Sequence, residues 1–352
     1  MTLVLYGVSP IGLGHASRGV AVGQELEAAG VEVVFASGGN AASHLSSYGM
    51  NVRDVIREPV PAVRGGEMKN ASLWYLRYWS GYRRSKAAMA ALMKSLEPDL
   101  VVGDEEFSGV ALALEAKRPH ALIADELQLG FARSALARYV EVRVESWYSR
   151  LQQEVEALIV PDFGADGGNR HHVGPIVRPV TSGRAQLSEE YSLPAEGFMI
   201  LLSMSGSGIG DYLLRRTLEA FRRMAVPGAF LVIAGNRGRT VAGDRVFDLG
   251  TVRDGQNLVA SADLVVSTAG KSTIDEASSA GTPLIAIPIK NHPEQERNAE
   301  SAGYGPADLS RLEELMAERM GHREEPRNYA GAARTARLLM SLRASGALPS
   351  TR

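Results

Sequence analysis

The chain has 352 residues, long for one domain and comfortable for two, each with room for its own core. Hydrophobic residues make up 45% and charged residues 22%, while a net charge of −2 removes any global electrostatic case for nucleic acid. With 0 cysteines there is no disulfide, no thiolate nucleophile and no Cys-ligated zinc, a usage that fits an intracellular protein.

Met1 runs straight into a strand pattern, without the basic and apolar regions of a signal peptide. No stretch approaches the roughly 18 uninterrupted apolar residues that a membrane-spanning helix needs. The pattern of Thr2 to Val8 predicts a strand, followed by the loop Ser9 to His15 with its Gly12-Leu13-Gly14-His15. A helix over Ala16 to Ala29, stopped by Gly30, and a second strand over Val31 to Ala36 complete a βαβ opening. Such an opening predicts a doubly wound parallel sheet with ligands at the carboxyl ends of its strands. A dinucleotide fingerprint is disfavoured, because Ser17 stands where its third glycine belongs and the second strand ends without an acidic ribose ligand.

Residues 57 to 72 are loop-like, rich in proline, glycine and charge. Trp74, Tyr75, Tyr78, Trp79 and Tyr82 then recur at helical spacing beside Arg77, Arg83 and Arg84. This stripe is either a core-facing surface or a boundary facing an acceptor or a membrane, since Trp, Tyr and Arg together suit an edge between apolar and wet. After a helix over Lys86 to Leu96, a strand over Pro98 to Gly103 ends in Asp104-Glu105-Glu106, which puts carboxylates where such sheets bind ligands. Ala121 to Ala124 is another strand, leading to Asp125 to Gln128. A long helix around 134 to 156 and a strand over Ala157 to Val160 follow. Pro161 to Gly183 is loop chemistry, and the hinge between two domains is expected there. Its His171 and His172 have no carboxylate at metal-ligand spacing.

In the second half, Phe198 to Met204 predicts a buried strand that runs into Ser205-Gly206-Ser207-Gly208, a turn whose amides could hold a phosphate at the start of the next helix. Ala229 to Ala234 is the next strand, and Asp248 to Val252 leads into a loop. Leu264 to Val266 is a short buried strand that ends in small residues through Gly270, with Ser272 or Thr273 placed to cap a helix and acidic residues expected in its first turn. Gly281-Thr282-Pro283 closes that helix, and Leu284 to Ile287 is a strand before a polar loop with Glu294, Gln295 and Asn298. Asn328 to Leu342 is helical, and the tail beyond it is expected to fray.

Gly270, Thr273, Glu276, Ala277, Gly281, Pro283, Glu294, Gln295, Asn298 and Ala299 make up a long pattern, G-x-x-T-x-x-E-A-x-x-x-G-x-P and then E-Q-x-x-N-A. This resembles the donor-binding half of the GT-B nucleotide-sugar glycosyltransferases, in particular the branch with the bacterial peptidoglycan N-acetylglucosaminyltransferase and its archaeal relatives. The resemblance implies an α/β fold of two Rossmann-like domains with parallel sheets facing across a cleft. An acceptor domain over 1–170 and a donor domain over 171–327 are expected, with a helix over 328–345 able to pack back on the first.

The implied reaction is transfer of a hexose or N-acetylhexosamine from a nucleoside diphosphate, UDP foremost, to an acceptor hydroxyl, with inversion and without metal or other cofactor. In the family the G-x-G-H loop lines the cleft, so His15 is expected to be the general base, or else to shape the loop or donate to the diphosphate. Asp104 could orient it, bind the acceptor, be the base itself or be a helix N-terminal acid. The donor would be held by Gly14, Arg178, Ser205, Gly206, Ser207, Val252, Gly270, Lys271, Ser272, Thr273, Glu276, Glu294 and Gln295. Within that set Arg178 would meet the diphosphate, Val252 the base through its main chain, Glu276 the ribose, and Glu294 and Gln295 the sugar. Thr268 stands where some branches have a phosphate-binding histidine, and Lys271 is expected to supply the missing positive charge. The acceptor is expected to be a small molecule, a glycan or a lipid-linked sugar, and the place of action the cytoplasm or its membrane face, with no nucleic acid partner. A nucleotide-sugar 2-epimerase and a non-catalytic donor-binding subunit remain as alternatives.

Overall fold

The computed structural model describes residues 2–59, 63–64, 67–68, 71–125, 135–204, 211–236, 238 and 240–345. The chain divides into two compact units, one of Met1–Pro61, Asn70–Val177 and Tyr329–Arg352, the other of Ala62–Lys69 and Arg178–Asn328.

In chain order, the first stretch holds β1 (Leu3–Val8), α1 (Gly14–Ala28), β2 (Glu32–Ser37), α2 (Gly39–Ser47) and β3 (Asn51–Asp54). Two short antiparallel strands follow, β4 (Val63–Arg64) and β5 (Glu67–Met68). Then come α3 (Ala71–Leu96), β6 (Leu100–Asp104), α4 (Phe107–Glu115), β7 (His120–Ile123), α5 (Ala135–Glu154), β8 (Ala157–Val160) and β9 (Arg170–His172). The seven-stranded sheet of the first unit has the order β3-β2-β1-β6-β7-β8-β9, with every pair parallel. Side chains alternate across it as a pleat demands. Val4, Tyr6 and Val8 enter a core with α1 and α2, while Leu5 enters another with Met89 and Met93 of α3. Because helices cover both faces, the strands read as unbroken apolar runs.

Besides β4 and β5, the second unit holds α6 (Arg184–Tyr191), β10 (Phe198–Ser203), α7 (Asp211–Met224), β11 (Ala229–Ala234), β12 (Val246–Asp248), α8 (Gly255–Ser261), β13 (Leu264–Ser267), α9 (Lys271–Ala280), β14 (Leu284–Ala286), α10 (Pro293–Ser301) and α11 (Leu312–Arg319). The strands of its five-stranded sheet are also all parallel, in the order β12-β11-β10-β13-β14. Apolar clusters lie on both faces, one around Phe221, Ile233 and Met316, the other around Leu187, Phe230 and Leu258.

The last helix, α12 (Gly331–Ser345), belongs to the first unit: Ala336 and Leu339 are buried in the cluster that holds Val20 and Val22 of α1. Close approach fixes its start, because a Cβ on Gly331 would stand 2.3 Å from the Pro175 carbonyl oxygen.

Several expected elements change in detail. The division falls between Val177 and Arg178 rather than at 170/171. The expected loop over 161–183 contains β9, which pairs with β8 after a turn at Gly168 (φ 59°) and so extends the first sheet. The aromatic stretch and the helix expected after it are one helix, α3, which passes through Gly81 unbroken. A Cβ there would stand 2.5 Å from the Arg57 carbonyl oxygen, so glycine lets the 57–59 segment lie directly on the helix. The aromatic stripe is divided between core and surface. Tyr82 is buried and stacks on Trp79, which is itself 50% exposed.

Candidate active and donor sites

In each sheet the order reverses beside the first strand, at β1/β6 and at β10/β13, and open parallel sheets bind ligands at such points. At the first reversal, β1 ends at Val8, whose register partner is Asp104 of β6. The loop after β1 turns at Gly12 (φ 82°) and enters α1 at Gly14 and His15 without a side-chain cap from Leu13. His15 is thereby set against the next strand, with Nδ1 3.0 Å from Asp104 Oδ1.

Three consecutive carboxylates take three different places here. Asp104 is fully buried and saturated: Arg18 donates from Nε to Oδ2 at 2.8 Å and from Nη2 to Oδ1, where His15 also binds. Glu105 adopts a left-handed backbone (φ 46°), costly for a non-glycine residue, and this sends its carboxylate to within 3.4 Å of His15 Nε2. Glu106 turns inward and caps α4, accepting from the amides of Ser108 at 2.9 Å and Gly109 at 3.0 Å. The helix-capping acid is thus Glu106, not Asp104.

These contacts set the protonation states. Burial opposes charge on Asp104, but the Arg18 guanidinium and the hydrogen bonds from Arg18 and His15 hold its carboxyl below the ordinary range. It is a poor proton acceptor. For His15, burial works against the imidazolium and Arg18 opposes it, yet the charge of Glu105 and the bond and charge of Asp104 prevail, raising the pKa to about 9. Beyond this pair, burial and then the charge of Glu106 push Glu58 up to about 8, so that this carboxyl keeps its proton at neutral pH. Both Glu58 oxygens are buried without a well-formed hydrogen bond.

Neither Arg18 nor Glu58 was marked as a site residue by the sequence pattern. For Arg18 a signal existed, the one Lys or Arg of the helix, three residues after His15 and just before the apolar run Val20 to Val22. For Glu58 none did, since a glutamate in a proline-rich loop reads as solvated.

At the second reversal, β13 ends at Ser267 and the chain turns through Ala269 (φ 57°) to Gly270. Asn298 of α10 donates to the Ala269 carbonyl at 3.2 Å and so braces this left-handed residue. Gly270, not Ser272 or Thr273, is the N-cap of α9. It offers no capping side chain, and the opening amides of Lys271 and Ser272 have no acceptor within the helix. Thr273 donates its amide back to the Gly270 carbonyl at 3.1 Å. No acid lies in the first turn, since Asp275 and Glu276 follow a turn later.

Glu276 is 8% exposed and is met by Arg178, which donates to Oε1 from Nε at 3.1 Å and from Nη2 at 2.9 Å. Lys271 is bound by Asp275 through both carboxylate oxygens, at 2.7 and 2.8 Å, so its charge is answered inside the helix rather than held out for a diphosphate. Gln295 accepts from the Ile289 amide at 3.0 Å, so its side-chain carbonyl braces a loop. Glu294 is exposed beside it, and Val252 packs on the core beneath its loop. Ser205, Gly206 and Ser207 lie outside the described residues, as do Glu126 to Gln128.

Residues 247–305 match the glycosyltransferase family 28 C-terminal domain, a span that includes β13, α9 and the whole of α10. An uncharacterized glycosyltransferase of Methanosarcina acetivorans is 26% identical over 84% of this chain and 82% of its own length. The UDP-N-acetylglucosamine--N-acetylmuramyl-(pentapeptide) pyrophosphoryl-undecaprenol N-acetylglucosamine transferase of a Methylobacterium strain is 25% identical over 87% of this chain and 82% of its own. Among solved structures, the glycotransferase of kitacinnamycin superposes with a TM-score of 0.66 over 97% of this chain and 99% of that one, at 17% identity. The chain is a GT-B-fold glycosyltransferase. Within the GT-B glycosyltransferases it resembles the peptidoglycan N-acetylglucosaminyltransferase branch, and its relatives imply a nucleotide-sugar donor and an acceptor. Among the described residues, no helix is long and apolar enough to cross a membrane and no group of three or more His, Asp or Glu could hold a metal ion.

Proposed function

We propose that this glycosyltransferase moves a hexose or N-acetylhexosamine from UDP to an acceptor hydroxyl in one metal-independent, inverting displacement. The observation that carries the reading is His15, held through Nδ1 by the buried Asp104 with Nε2 turned toward the partly exposed Glu105. An acceptor hydroxyl arriving at Nε2 takes the place of the Glu105 contact and gives its proton to the imidazole as its oxygen attacks the anomeric carbon. Asp104 and Arg18 orient the ring and do not themselves exchange the proton. Because the His15 proton is held up to about pH 9, only a small neutral fraction acts as base near pH 7.

In the second unit, Glu276 would accept from the ribose hydroxyls, and the opening amides of α9 with the helix dipole would stabilise charge growing on the leaving diphosphate. Val252 would meet the base, and Glu294 and Gln295 the sugar. Exposed Trp79, Tyr139 and Val142 on α3 and α5 suit peripheral contact with a membrane on its cytoplasmic face, where a lipid-linked acceptor would be met.

The reading is tested by incubating the protein with a panel of nucleoside diphosphate sugars, with and without candidate acceptors, in the presence of a chelator. Acceptor-dependent release of UDP that withstands the chelator, with a product of inverted anomeric configuration, is expected. Release of UDP with an altered free sugar and no acceptor would make the protein an epimerase, and donor binding without any turnover would make it a binding subunit.

A further inference from the structure

Arg178 sits where a diphosphate ligand is expected, yet its guanidinium is committed elsewhere. It is 8% exposed, it donates from Nε and Nη2 to Glu276, and from Nη1 to the Arg253 carbonyl at 3.1 Å. The backbone that carries it is pinned as well. Thr181 donates its amide to Asn257 Oδ1 at 2.9 Å, Asn257 donates back to Thr181 Oγ1 at 3.1 Å, and Gln256 donates to the Pro179 carbonyl at 3.3 Å. One planar side chain therefore joins three pieces: the segment 178–181, the loop before α8, and α9. Its two bonds to Glu276 converge on Oε1, leaving Oε2 outside the pair. Turning the guanidinium toward a phosphate would strip both the buried Glu276 and the Arg253 carbonyl of their donor.

We infer that Arg178 is a positioning residue that locks the Glu276 carboxylate to the 251–254 loop, so that the ribose and the base of the donor are gripped together, and that it is not a ligand of the diphosphate. This rests on the donor reading above. It makes nucleoside recognition the function of the lock, while the diphosphate is left to the amides of the turns.

The two roles separate when the ligand is taken apart. Wild type, Arg178→Gln and Arg178→Lys are titrated with uridine, UMP, UDP and inorganic pyrophosphate, using the thymidine or guanosine series instead if wild type prefers it. A positioning residue predicts that Arg178→Gln weakens the bare nucleoside by about tenfold or more and UDP by the same factor, with pyrophosphate unchanged. Arg178→Lys, which keeps the charge but not the fork, should fall with it. The lysine variant gives the same readout if the glutamine variant does not fold. Unchanged nucleoside affinity with weakened UDP and pyrophosphate would overturn the inference, as would a loss shared equally by pyrophosphate. Wild-type protein that binds none of the three nucleotide series would overturn the donor reading itself, whatever the variants do.

Discussion

The two sheet reversals use the same local device, a parallel strand, a glycine turn and an uncapped helix, and differ in where their charges come from. At β1/β6 the charges come from the neighbouring strand: Asp104 and Glu105 close on His15 from 89 and 90 positions away and fix its protonation. At β10/β13 the charged pairs are built on the helix that follows, with Lys271 held by Asp275 of the same helix and Glu276 by Arg178 from the segment before α6. The first arrangement tunes a group that can exchange a proton. The second presents amides and a carboxylate edge, which suits holding over reacting. A turn of this kind is therefore neutral as to role, and the adjacent strand decides.

Removing His15 should break the contrast most sharply. His15→Ala is expected to lower turnover by about 10²- to 10⁴-fold while donor affinity, measured by titration, stays within error. Next in size is Arg18→Ala, which leaves the fully buried Asp104 carboxylate with His15 but without its guanidinium; denaturant unfolding should show a loss of about 3 kcal/mol.

The pH dependence sharpens the comparison further. The neutral His15 is the active form and its folded pKa is about 9, so kcat/KM should rise about tenfold per pH unit from 6 to 8 and level off above 9. Stability should move the other way. Both His15 (pKa about 9) and Glu58 (pKa about 8) bind their proton more tightly folded than unfolded. Their contributions are therefore full at low pH and are lost as pH rises, for Glu58 between its ordinary carboxyl value and about 8, for His15 up to about 9. Glu58→Gln, which cannot ionise, should raise the melting temperature at pH 8.5 and leave it nearly unchanged at pH 4.5. The smallest effect belongs to Lys271→Ala. Its pair with Asp275 spans one helical turn and is partly exposed, so a stability change of about 0.5 kcal/mol and little change in donor affinity are expected.

Much of this architecture was legible in the chain. Runs such as LVLYGV and AFLVIA bury both faces, so composition alone marks them as central parallel strands. His15 and Glu276 were found by a family pattern, and the structure places each at a sheet reversal. What escaped the sequence were pairings made at long range or against local preference. Arg18 meets Asp104 from 86 positions away, Glu105 needs a left-handed backbone to reach His15, and Arg178 finds Glu276 from 98 positions away. The Lys271–Asp275 pair is different: its i,i+4 spacing stands in the sequence, yet the expectation of a phosphate-facing lysine passed over it.

Donor titration and acceptor-dependent turnover, both measured on His15→Ala and on Glu276→Ala, bear most directly on this division of labour between holding and reacting. The account predicts that His15→Ala binds the donor like wild type but fails to turn it over, and that Glu276→Ala loses about tenfold or more in donor affinity. A His15→Ala protein that turns over normally, or a Glu276→Ala protein that binds the donor as tightly as wild type, would contradict it.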